Sequence, residues 1–198
     1  ETISEALIAG ADSLLMNRFL PGGRGLEHTS LLLNEAETNQ MLDIAEEVLS
    51  TAKRYGSVGT ELPKCIIKRS DYEYLTVGTR CSAAIDFFVV GPSGFIRTCN
   101  HSPIEVGHVS EIEQIKSHEY WKKFIMKSYL PEMCGACNLK FDCDGGCREA
   151  AHIFSGELNS PDPLFSNTKI NSLYPVNLSY TLPYKWKHTN LLQLPGYL

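Results

Sequence analysis

The sequence predicts an α/β unit over residues 1–67, a small α+β unit over 79–165, and an extended tail of unknown role over 166–198. Helix-like and strand-like stretches alternate through the first 67 residues. A β-hairpin pattern follows at 85–98. Six cysteines then stand at metal-ligand spacings through the second unit.

Residues 3–10, with Ile3, Ala6, Leu7 and Ile8, read as a helix that stops near Gly10. Ser13 to Leu20 carries Leu14, Leu15, Met16 and Phe19 and ends in Pro21-Gly22-Gly23-Arg24-Gly25, a buried strand entering a glycine-rich loop. Asn34 to Tyr55 is the clearest helix. Met41, Ile44, Ala45, Val48, Leu49 and Ala52 keep helical spacing, and Gly56 marks the stop. Val58 to Ile67 reads as a further strand, so the first 67 residues look like the closing part of an α/β sheet or barrel.

The character changes near Thr79. Ile85-Asp86-Phe87-Phe88-Val89-Val90 and Phe95-Ile96-Arg97-Thr98 flank the turn Gly91-Pro92-Ser93-Gly94, which predicts the hairpin. Ser110 and Glu113 suggest a capping box for a helix running through Trp121, Phe124 and Ile125, with a break near Ser117. A short helix through Ala150, Ala151 and Ile153 ends at Gly156. Residues 157–198 are rich in Pro, Tyr, Leu and Asn without sustained periodicity, and read as extended or partly ordered.

Composition narrows the function. The 198 residues carry a net charge of −5, which leaves no basic footprint for nucleic acid. No apolar run approaches the roughly 20 residues of a membrane span, and no secretory signal opens the chain. The expected setting is the reducing cytoplasm. Because an amphipathic stretch starts almost at Glu1, the chain is expected to be a piece of a longer one.

Cys81 is followed by Cys99 and then by Cys134-x2-Cys137-x5-Cys143-x3-Cys147. A [4Fe–4S] cube takes four thiolates at its corners, and Cys-x2-Cys supplies two that are adjacent. The hairpin brings the flanking Cys81 and Cys99 together, while Gly135, Gly145 and Gly146 allow a close wrap. A zinc ribbon is the alternative. Six cysteines at mixed spacings suit two metal centres better than one, and iron–sulfur better than zinc.

Cys81-x12-Gly94-x4-Cys99, with Met133-Cys134-Gly135-Ala136-Cys137 and Cys143-Asp144-Gly145-Gly146-Cys147-Arg148, resembles the SPASM domain of radical S-adenosylmethionine enzymes. The strand before Pro21-Gly22-Gly23-Arg24-Gly25 more faintly resembles late strands of their partial TIM-type barrel. The resemblance implies a C-terminal portion of a maturase: the last βα units of the barrel, then an iron–sulfur SPASM domain. It also implies two auxiliary [4Fe–4S] clusters, one held by Cys81, Cys99 and Cys147 and the other by Cys134, Cys137 and Cys143.

The family pattern ends with one more cysteine, yet here Phe165 stands near its place and no cysteine follows Cys147. The second cluster therefore has three cysteines at most from this pattern, with Asp162 the nearest replacement ligand, Asp142 and Asp144 as rivals, and an open iron site or a lost cluster as the alternatives. The first group also has only three evident ligands, which in this family can mean a site open near substrate. The Cys-x3-Cys-x2-Cys motif for the catalytic third cluster and S-adenosylmethionine is absent from these residues, so this chain alone is expected to be inactive. The implied substrate is a peptide, cross-linked or oxidised at an unactivated carbon, with a reductase or ferredoxin as electron donor. Maturation of a tetrapyrrole or metal cofactor is the related alternative, and a non-enzymatic zinc or iron–sulfur binding module is the third reading.

Other residues carry weaker signals. Arg24 is read chiefly as part of a tight turn, with cofactor or substrate binding as the alternative. Cys65 is read as a buried structural thiol on a strand, with a spare ligand as the alternative. Trp121, Phe124 and Tyr129 suit a helix's core face. His101 and His152 lie near the cysteines and are read as surface or core residues rather than ligands. Arg148, beside Cys147, suggests electrostatic tuning of a cluster or a surface ion pair.

Overall fold

Asn34 starts the longest helix for a local reason. Its Oδ1 accepts the Glu37 amide at 2.9 Å, and the Glu37 carboxylate accepts the Asn34 amide at 2.8 Å, a reciprocal cap. The computed structural model describes residues 1–166. The expected tail thus falls outside the described residues from 167 onward. Helix α1 (Thr2–Ile8) leads to strand β1 (Ser13–Met16), and helix α2 (Glu35–Ala52) to β2 (Tyr55–Val58) and β3 (Leu75–Val77). The three strands form a parallel sheet in the order β1-β2-β3, with Leu14 opposite Gly56 and Gly56 opposite Leu75.

The buried face of α2 is narrower than its apolar pattern. Leu42, Ala45 and Leu49 are buried with Val58, Leu62, Ile66, Leu75 and Leu164, whereas Ile44 faces out. Each fully buried leucine contributes about 1.5–3 kcal/mol. Glu46 is buried because its carboxylate accepts the Glu73 amide at 2.9 Å and the Tyr74 amide at 3.1 Å, fixing the entry to β3. Gly56 is not the helix stop. Lys53 takes that place in the left-handed region, and Gly56 lies inside β2, where a Cβ would meet Leu49 Cδ1 at 2.8 Å.

The strand expected over 58–67 ends at Val58. Gly59 and Pro63 interrupt it, and a 3-10 turn, Lys64–Ile66, follows. In that turn Ile66 is buried and Cys65 is exposed, so Cys65 is not a core thiol. The glycine-rich loop opens a 3-10 stretch, Gly23–Leu31, in which Arg24 is exposed.

The second unit is built on an antiparallel sheet of β4 (Val89–Val90), β5 (Phe95–Arg97) and β6 (Glu105–His108). The hairpin is shorter than its apolar pattern, since Ala84 N bonds to Phe87 O and to Thr98 O and Ile85 to Phe88 turns outward. No sequence signal marked β6. The capping box at Ser110 does not form. Instead His108 Nδ1 accepts the Ser110 amide at 3.2 Å, and α3 (Ile112–Ile115) follows. The chain breaks at Ser117, and His118 caps α4 (Glu119–Ile125) through the Tyr120 amide at 3.1 Å. Trp121, Phe124 and Tyr129 pack with Ile96, Val106 and Ile115 in a second core that also contains Cys81 and Cys99.

After the cysteine loop come α5 (Arg148–Ser155) and α6 (Pro163–Ser166). Residues 157–165 are not a free tail. Leu158 packs into the second core and Leu164 into the first, so this segment ties the two together.

Candidate metal centre

The cysteines sort by location. Cys81 precedes the hairpin, Cys99 follows β5, and Cys147 caps α5. All three are buried. Burial pushes their thiols up, to about 12 for Cys99 and Cys147, and the nearby Glu61 carboxylate pushes in the same direction on all three. Cys147 and Cys99 add to the upward push on Cys81. Opposing it are backbone N–H groups: Ala83 on Cys81, His101 and Ser102 on Cys99, and Ala150 on Cys147. Burial thus favours the protonated form of these thiols. A bound metal replaces the proton and supplies the missing positive charge.

Cys134, Cys137 and Cys143 form the second group; Cys134 and Cys137 are half-buried and Cys143 is buried. Cys134 is pushed up by burial, then by Cys143 and, less, by Cys137. Cys143 Sγ accepts N–H bonds from Gly145 and Lys64, both at 3.3 Å, and Cys137 Sγ accepts one from Leu139 at 3.4 Å. Two of the six array sulfurs, those of Cys137 and Cys143, accept backbone N–H bonds, and backbone N–H groups also lower the thiols of Cys81, Cys99 and Cys147, an environment suited to a thiolate. All seven cysteines are free thiols, and among the described residues no three His, Cys, Asp or Glu side chains converge on a single-ion position. The cysteines of the array thus fall into two groups of three.

Two buried carboxylates hold the first group from behind. Asp144 Oδ2 accepts the Cys81 amide at 2.7 Å and is paired with Lys127 Nζ at 2.8 Å. Asp162 Oδ2 accepts the Cys147 amide at 2.8 Å. The other Asp162 oxygen accepts the Leu164 amide at 2.9 Å, and the guanidinium of Arg18 bonds to both. Four N–H donors thus fill the four acceptor positions of Asp162, which in this arrangement turns none of them toward the second group. Its observed task is to position Cys147. Asp142 is exposed, 3.7 Å from Lys64 Nζ.

Arg148 is buried and donates to the Gly145, Gly146, Leu158 and Ser160 carbonyls. It is therefore no surface ion-pair residue. Its charge lies within reach of both Cys147 and Cys134, and it binds the cysteine loop to the segment that follows. Glu149, also buried, accepts Thr98 Oγ1 at 3.0 Å and the Tyr120 hydroxyl at 2.8 Å, and lies 3.2 Å from His152 Nδ1.

Sequence reading did not single out Arg18 or Glu61. A lone arginine in an apolar run, Leu14 to Leu20, is the one signal that could have marked Arg18. No protein-family model matches the chain, and no solved structure matches it.

Proposed function

We propose that this chain is the auxiliary iron–sulfur part of a radical S-adenosylmethionine enzyme of the SPASM type, acting on a peptide. The observation that supports this most is the sorting of six thiols into two groups, with backbone N–H bonds to the Cys137 and Cys143 sulfurs. Cys81, Cys99 and Cys147 would hold one [4Fe–4S] cluster, and Cys134, Cys137 and Cys143 the other. Such clusters supply one-electron transfer or an open iron for substrate. The chain's own part is to place the thiolates. Asp144 and Asp162 hold the Cys81 and Cys147 backbones, and Arg148 sets positive charge between the groups. The radical-generating cluster and S-adenosylmethionine belong to a separate or preceding segment, and a reductase or ferredoxin in the cytoplasm is the implied electron source.

The test is anaerobic reconstitution of the intact chain with ferrous iron and sulfide, followed by metal and sulfide counting. The expected content is about eight irons and eight sulfides per chain, and tightly bound zinc without sulfide would overturn the reading.

A further inference from the structure

We propose that Cys65 is the fourth protein ligand of the second cluster, completing a Cys65, Cys134, Cys137 and Cys143 set. The proposal rests on the two-cluster reading and deepens it. The turn Lys64–Ile66 is docked against the cysteine loop: its first amide, from Lys64, bonds to Cys143 Sγ at 3.3 Å. Lys64 Nζ stands 3.7 Å from Asp142, the residue before Cys143. At the other end, Asn39 of α2 donates to Ile66 O at 2.8 Å and accepts the Lys68 amide at 2.8 Å. Leu62 and Ile66 are buried in the first core. With both flanks anchored, Cys65 is left exposed, one residue from the amide that bonds to Cys143 Sγ. Cys143, Cys134 and Cys137, all three members of the second group, are the thiols near enough for their charge to act on it.

Two of the three rival carboxylates are engaged elsewhere, while Asp142 stays exposed beside Lys64 Nζ. Asp162 is saturated by Arg18 and two backbone amides, and Asp144 by the Cys81 amide and Lys127. The chain holds seven cysteines, so the one outside the spaced array is also the one the fold carries to the incomplete group. Each Cys–S–Fe bond forms as a thiol gives up its proton to solvent, with no change of oxidation state at sulfur.

The experiment compares the intact parent chain with Cys65→Ala and Cys65→Ser after anaerobic reconstitution with iron and sulfide. Iron content and the electron paramagnetic resonance of the dithionite-reduced protein are read. Cys65→Ala is expected to lose up to about half the iron and the signal of one cluster, while Cys65→Ser retains iron with an altered signal. In the parent, alkylation of Cys65 by iodoacetamide, followed by mass spectrometry, is expected to slow at least ~10-fold on reconstitution. This arm needs no variant and is independent of folding defects. A Cys65→Ala protein with the iron and spectrum of a two-cluster parent overturns this assignment alone, as does unchanged Cys65 alkylation in that parent. A parent that takes up no iron and sulfide overturns the two-cluster reading together with it.

Discussion

Replacing Asp162 by Ala removes the carboxylate that joins the first core to the cysteine loop. Arg18 and Asp162 are 5% and 0% exposed, so neither charge reaches solvent. Deleting one partner of a buried pair costs about 3–5 kcal/mol, because the other charge stays buried and uncompensated. Arg18 would keep only the Glu61 carbonyl, at 3.2 Å. The Cys147 and Leu164 amides would also lose their acceptor, at about 1–3 kcal/mol for each buried donor left unpaired. The losses overlap, so the expected destabilisation is about 4–6 kcal/mol, a large share of the stability of a typical domain. The assay is urea unfolding of the metal-free, reduced chain, followed by far-ultraviolet circular dichroism. Asp162→Asn should fall between parent and Asp162→Ala. The double variant Arg18→Met with Asp162→Leu should recover part of the loss, since it removes both charges. A Glu119→Gln change at the exposed Lys122 pair serves as the control and should leave the midpoint in place. The reasoning fails if Asp162→Ala costs less than about 1 kcal/mol, the worth of a surface pair.

Gly146→Ala should lower the same midpoint by roughly 1–3 kcal/mol and weaken iron retention at the first group. Gly146 has φ +91°, and a Cβ there would collide with the Asp162 carboxylate that holds Cys147. Tyr72 offers a pH test. Burial and then the Asp43 carboxylate, 3.1 Å from its hydroxyl, push the phenol up to about 12. Its folded value thus exceeds the unfolded value near 10, so its stabilising contribution is complete below about pH 10 and is lost as pH rises toward 12. Ultraviolet titration of the phenols should show a late step that Tyr72→Phe removes; an unchanged titration would refute the assignment.

Legibility in the sequence varied with the range of the contacts involved. The α2 helix was readable because period and cap both lie within its own segment. Its buried face was less so: Leu42 and Glu46 face inward because Gly56 lets β2 approach Leu49, and because the amides of Glu73 and Tyr74 need an acceptor. Apolar Pro63 to Ile67 imitates a strand, yet the backbone turns at Gly59 and Pro63 and has no neighbouring strand to pair with. Strand β6 had no local signature, since its four residues, Glu105–His108, gain their extended form by pairing with β5.

The cysteine spacing alone determined that Cys134, Cys137, Cys143 and Cys147 share one loop, because so few residues separate them that no fold could scatter them. The apolar runs on either side of the turn Gly91-Pro92-Ser93-Gly94 likewise set the hairpin between Cys81 and Cys99. Tertiary packing decided the rest. Arg18 meets Asp162 across 144 residues, and Lys64 meets Cys143 across 79. Such pairs leave no periodicity in the sequence, for their proximity comes from how two cores dock rather than from any turn between them. The roles of Asp162 and Cys65 belong to that class. The buried carboxylate is committed to arginine, and the exposed thiol stands next to the Lys64 amide that bonds to Cys143.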